Sequence, residues 1–152
     1  MKTILSFILF IVFSCACNNH HSINTSDNNP LIGTWQLLSG TLIQGNDTVV
    51  TNYNQKISFI KIINPTHFAF LQHDLHKGKD SNAVFLAGGG NYTLKGNQYT
   101  EHLAYCSDRN WEDNDFTFTV ELHQDTLIQK GNESIPGTNT SRVNIEKYVR
   151  LK

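Results

Sequence analysis

Residues 64–106 constrain the fold most: NPTHFAFLQHD and then, beyond a charged loop, LAGGGNYTLKGNQYTEHLAYC. The first run alternates. His67, Ala69, Leu71 and His73 share one parity, and Phe68, Phe70, Gln72 and Asp74 the other. Period two means a strand with two unlike faces. Residues 99–106 alternate again, with Tyr99, Glu101, Leu103 and Tyr105 on one side and Thr100, His102, Ala104 and Cys106 on the other. Gly96-Asn97 joins this run to residues 91–95 as a hairpin, because both residues tolerate the positive φ of a tight turn. Gly88-Gly89-Gly90 is too permissive for a regular strand interior and predicts a bend, a bulge or the close approach of another segment. No helical pattern follows the glycines, so they are a poor phosphate cradle.

The rest of the chain reads in the same way. Strands are predicted at 34–44, 55–63, 67–74, 83–94, 98–106, 115–123, 126–130 and 142–150, with turns or polar loops between them. After residue 30 no long run carries the 3.6-residue apolar period of a helix. Thr, Asn, Tyr, Phe and Ile recur, and proline occurs three times, a bias toward strands and polar turns. The expected fold is all-β: one eight-stranded antiparallel up-and-down barrel over residues 31–152. Such a barrel is either filled or holds one small ligand, and closure removes its sheet edges.

The N-terminus reads as an address. Lys2 precedes an apolar run from Ile4 to Phe13 that is too short to span a bilayer as a mature helix. Ser14-Cys15-Ala16-Cys17 resembles a bacterial lipoprotein signal, cut after a small residue so that the next cysteine carries the lipid. Residues 1–16 are then the signal peptide and Cys17 the lipidated residue, with Cys15 the alternative. Residues 17–30, polar and aperiodic, form a flexible tether. The expected location is the bacterial cell envelope, anchored to the membrane by lipid; no charge block follows Cys17, which favours a periplasm-facing anchor over a surface-exposed one. Only Cys106 remains for the domain, so no internal disulfide is available. Lys plus Arg number 12 against 13 for Asp plus Glu, which gives nucleic-acid binding no basic surface to work with.

Gly33-Thr34-Trp35 opens the first strand. This G-x-W triplet, with PTHFAF, AGGGNYTL, KGNQYTEHLAY and the closing EKYVR, resembles the lipocalins and the wider calycin barrels. The likeness is greatest to the bacterial lipocalin-like domain of Bacteroidetes secreted and lipid-anchored proteins, over about residues 31–152. The resemblance implies the barrel, with Trp35 plugging one end, Gly33 allowing close passage, and Arg150 (Arg142 second) packed across Trp35. It implies little about function, because a fold does not fix a role.

Candidate ligand contacts are His67, His73, Glu101, His102, Tyr105, Arg109, Trp111 and Tyr148. They combine aromatic, imidazole and carboxylate groups on the central strands, the rim loop 107–114 and the last strand. A metal is not expected: His67 and His73, six residues apart on one strand, are separated by about 20 Å, and His73 with His76 and Asp74 lacks a third firm ligand. No cofactor is implied, and no nucleophile motif is present. Glu101 and His102 point to opposite faces and cannot act as a pair. Either parity of residues 99–106 is able to line the lumen. In the last strand the plain reading buries Val143, Ile145 and Val149; the sharper one turns Tyr148 and an arginine inward, where they suit a carboxylate ligand. The leading expectation is a binding module for a small, partly apolar molecule. The alternatives are a calycin-type enzyme using His67, His102 or Glu101, and a filled barrel serving as a structural or interaction module.

Overall fold

The computed structural model describes residues 29–53, 55–79, 81 and 83–152. The expected signal peptide, Cys15, Cys17 and the expected tether as far as residue 28 lie outside the described residues. The strands are β1 (Gly33–Gln44), β2 (Asp47–Asn52), β3 (Ile57–Ile63), β4 (His67–Asp74), β5 (Phe85–Lys95), β6 (Gln98–Cys106), β7 (Asn114–His123), β8 (Thr126–Ser134) and β9 (Ser141–Arg150). Each of β3 to β9 pairs antiparallel with its sequence neighbour, and β9 returns to pair with β1. With β1–β3 this closes an eight-stranded antiparallel barrel, the architecture expected from the alternation.

One strand was not foreseen. Residues 47–52 form β2, which pairs with the second half of β1 from Ser39↔Asn52 to Gln44↔Asp47. β3 pairs only with the first four residues of β1, Gly33 to Gln36. DTVVTN is too short and too exposed to show a buried parity; Val49 and Val50 are both exposed. β8 also runs on to Ser134, past the expected strand end at residue 130, because Asn132↔Val143, Glu133↔Arg142 and Ser134↔Ser141 continue the ladder.

The three central glycines serve both a bulge and close approaches. The β5–β6 register slips between Gly89 and Asn91. A Cβ on Gly90 would overlap the His102 carbonyl, and one on Gly88 would strike the Phe70 ring. The slip has a visible consequence on β6. Tyr99, Glu101 and Leu103 face the lumen, but Cys106 is the next buried residue and Tyr105 points to solvent. Tyr105 therefore does not share the face of Glu101, as strict alternation implied.

One end of the barrel is sealed. Trp35 is fully buried and donates its indole N–H to the Leu31 carbonyl at 2.8 Å. The Arg150 guanidinium lies over the ring, 4.0 Å from its centre, and donates to the carbonyls of Ile32 and Pro30, both at 2.7 Å. Gly33 sits beneath this clamp: any Cβ there would meet the guanidinium, and its φ of +146° suits glycine alone. Asn29, at the end of the expected tether, accepts from the Leu31 N–H and donates to the Tyr92 hydroxyl. Arg150→Met keeps the stem but removes the stacking and both charge-assisted bonds. It should cost roughly 1–3 kcal/mol in urea unfolding; a loss of only a few tenths would mean the clamp contributes nothing.

Candidate functional site

The lumen beyond the Trp35 end is open. A cavity of about 400 Å³ is bounded by the second half of β1, by β3 to β9 and by the loop after β6. Its apolar walls are Tyr53, Phe59, Phe70, Leu86, Leu103, Trp111, Phe116 and Phe118, and its polar side is drawn from β3, β6, β8 and β9. Phe116 and Phe118 reach it because β7 alternates cleanly, with Phe116, Phe118 and Val120 buried between exposed Asp115, Thr117 and Glu121. Phe59 and Phe70 stack with centroids 5.7 Å apart on neighbouring strands.

The polar side is built around Lys61, the in-phase neighbour of Phe59 and Ile63 on β3. Lys61 is 3% exposed. Its ammonium lies 2.8 Å from Glu101 Oε1, donates to Gln129 Oε1 at 3.1 Å and stands 3.9 Å from Glu146 Oε2. The rings of Phe68, Tyr99, Phe118 and Tyr148 surround it, with centroids 5.4–6.0 Å away. Burial, the largest single influence, works to strip its proton, but Glu101 and then Glu146 outweigh it, so the Lys61 ammonium is held above its ordinary range. Burial raises the Glu101 carboxyl, with Lys61 opposing. The phenols of Tyr99 and Tyr148 are raised too, by burial first and by Glu101 and Glu146 respectively after it.

A second cluster lies farther along β8 and β9. Glu133 accepts from Arg142 Nε at 2.7 Å and from Asn144 Nδ2 at 2.7 Å. The Arg142 guanidinium stacks over Trp111, 4.9 Å from its centroid, and Trp111 packs on Phe116. Tyr148 donates to Glu146 at 2.8 Å. β9 thus turns Arg142, Asn144, Glu146 and Tyr148 inward and Val143, Ile145 and Val149 outward. This corrects the plain expectation for that strand. The apolar parity of β9 is only partly covered on the outside of the barrel, while charged groups that find partners inside are buried.

Of the sequence candidates, Glu101 and Trp111 line the cavity, and Tyr148 lies beneath it, linked through Glu146. The others do not reach it. His67 and His73 are on the exposed parity of β4, where His67 meets Thr66 and His73 meets its neighbour's carbonyl. His102 faces outward and pairs with Asp115 at 2.8 Å. Tyr105 is exposed, and Arg109 extends into solvent from the short 3-10 turn Arg109–Trp111, against Glu112. Lys61, Gln129, Glu133, Asn144 and Glu146 line the cavity without being among the sequence candidates, and Arg142 is the arginine that the sharper reading of the last strand turns inward. Parity alone was able to flag Lys61, which shares a face with Phe59 and Ile63, but Ile60 and Ile62 made the opposite face equally apolar.

No protein-family model matches the chain, and no curated protein matches it. Among solved structures it is similar to an uncharacterized protein from Bacteroides eggerthii DSM 20697. The two are 14% identical, the match covers 79% of this chain and 98% of that one, and the TM-score is 0.46. A likeness that distant carries no argument about ligand or role.

Proposed function

We propose that this chain is a cell-envelope lipoprotein whose lipocalin-like barrel holds a small, partly apolar molecule. The observation that supports the reading is the lumen cavity of about 400 Å³, lined by aromatic rings interleaved with buried charged groups. That size and that mixture of lining suit a small ligand with an apolar body and a polar end. A filled barrel has less in its favour, because Phe59, Phe70 and Phe116 line the space rather than close it. The acid–base enzyme reading also loses its support. His67 and His102 stand outside the barrel, and among the described residues no imidazole lines the cavity beside Glu101.

Native mass spectrometry of the protein purified from its own host tests binding. The expected result is a bound species that is lost on denaturation; a spectrum of the bare polypeptide alone, under conditions that retain a weak additive ligand, would count against the proposal. The anchor is tested separately. Cys17→Ala should move the protein from the membrane fraction to the soluble envelope fraction. An unchanged distribution in both Cys17→Ala and Cys15→Ala would remove lipidation.

A further inference from the structure

The charges inside the lumen do not balance. Lys61 and Arg142 are its cations, and Glu101, Glu133 and Glu146 its carboxylates, with Asp108 adding a further negative group to the lining. Each cation is already committed. Lys61 is held by Glu101 at 2.8 Å and by the Gln129 carbonyl oxygen at 3.1 Å, and Arg142 by Glu133 at 2.7 Å. Glu146 is left over. It accepts the Tyr148 hydroxyl at 2.8 Å and lies 3.9 Å from an ammonium that Glu101 already engages. A hydroxyl solvates a carboxylate without neutralising it, and at 14% side-chain exposure water does little of that work.

A second, independent observation lies beside it. Gln129 is 1% exposed. An ammonium only donates, so the Gln129 amide oxygen must face Lys61, and the amide NH₂ is turned away. That NH₂ is buried and has no hydrogen-bond partner. Gln129 and Glu146 are direct partners across β8 and β9, so the two groups are neighbours on one wall. One is a carboxylate short of a cation and the other a donor short of an acceptor. Phe59, Phe70 and Phe116 line the same cavity.

We infer that the cavity takes a small protonated amine with an apolar or aromatic body, its ammonium on Glu146 beside the unpartnered Gln129 amide. The inference rests on the binding proposal above and names the class of ligand. It also decides against a carboxylate guest, because each lumen cation already faces a glutamate and an added anion would meet three carboxylates.

The test is calorimetric titration of the purified protein with four probes of similar bulk, tryptophan fluorescence giving a second readout. These are 2-phenylethylamine, 2-amino-1-phenylethanol, neutral 2-phenylethanol and anionic 3-phenylpropanoate. The amines should bind at least about tenfold more tightly than the neutral alcohol, and the acid least of all. Glu146→Gln keeps an acceptor for Tyr148 and should weaken amine binding at least about tenfold more than 2-phenylethanol binding, which erases the preference. If the neutral alcohol binds as well as the amines, or the acid binds best, the amine inference is overturned and the binding proposal stands. If none of the four binds, the amine inference is overturned, and native mass spectrometry decides the binding proposal. A Glu146→Gln variant that retains the full preference, with an unchanged circular dichroism spectrum, would also overturn the assignment to Glu146.

Discussion

Glu101→Ala should destabilise the barrel by about 3–5 kcal/mol, because it strands a buried ammonium. Lys61 sits within a ring of four aromatic side chains at 3% exposure, and Glu101 is its shortest ionic contact, at 2.8 Å. Once the carboxylate is gone, Lys61 keeps only Gln129 and, at 3.9 Å, Glu146. It must hold an under-compensated charge or give up its proton, and both options cost free energy. The loss belongs to the orphaned cation, not to the intrinsic worth of the pair. Lys61→Met combined with Glu101→Leu removes both charges and keeps similar volume, and it should recover most of the stability lost in Glu101→Ala. Urea unfolding of the three proteins checks this. A single-variant loss below about 1 kcal/mol, or a double variant less stable than the single, would show that the ion pair is not the centre of the polar core. The double variant also leaves Glu133 and Glu146 against Arg142, so any preference for amines should survive it.

Alternation carried most of the fold. β4, β6 and β7 display it over enough residues that only a barrel or sandwich of paired strands accommodates them, and the turn at Gly96-Asn97 sets one register locally. The G-x-W opening and Arg150 are also legible, because the clamp joins the two chain ends that a closed barrel must bring together. The cavity was legible only in part, and the reason is physical. A strand in a closed barrel has an inside and an outside, but parity says which residues share a side, not which side it is. β4 carries Phe68 and Phe70 on one face and Leu71 with two histidines on the other; the side with more aromatic area went inward and took His67 and His73 out of the site. On β9 the aliphatic face lost to a face holding Tyr148, two groups that pair with Glu133 on β8, and Glu146, which faces Lys61 on β3; that choice depends on partners distant in sequence. Tyr105 was misplaced by a register slip that begins at Gly90 on the neighbouring strand, which no periodicity within β6 reveals. β2 went unseen because a short exposed hairpin strand has no buried face to announce it.

The stability of the barrel should fall steeply above about pH 10, and the sign follows from three buried groups that act in the same direction. Tyr99 and Tyr148 are each fully buried, and burial, with Glu101 and Glu146 respectively behind it, raises both phenols above their ordinary value. The folded protein therefore keeps both phenolic protons where the unfolded chain releases them. Lys61 is raised too; burial alone would lower it, but Glu101 and Glu146 together prevail. Here again the folded state holds a proton that the unfolded state gives up. A group with a raised folded pKa contributes its stabilisation fully below its unfolded pKa and loses it as the pH climbs toward the folded value. Each of the three should then cost roughly 1.4 kcal/mol per pH unit once the pH exceeds its unfolded value of about 10. The measurement is the urea midpoint at about pH 8 and at successive steps to about pH 11, with tyrosinate absorbance followed in parallel. Absorbance from the buried phenols should appear together with unfolding rather than before it. In Tyr148→Phe the slope should be shallower by about one group's share, although the variant also loses the bond to Glu146 and starts from a lower stability. A midpoint that stays level through about pH 11, or tyrosinate absorbance from all the tyrosines while the barrel remains folded, would mean that water reaches these phenols and that the sealed half of the lumen is not sealed.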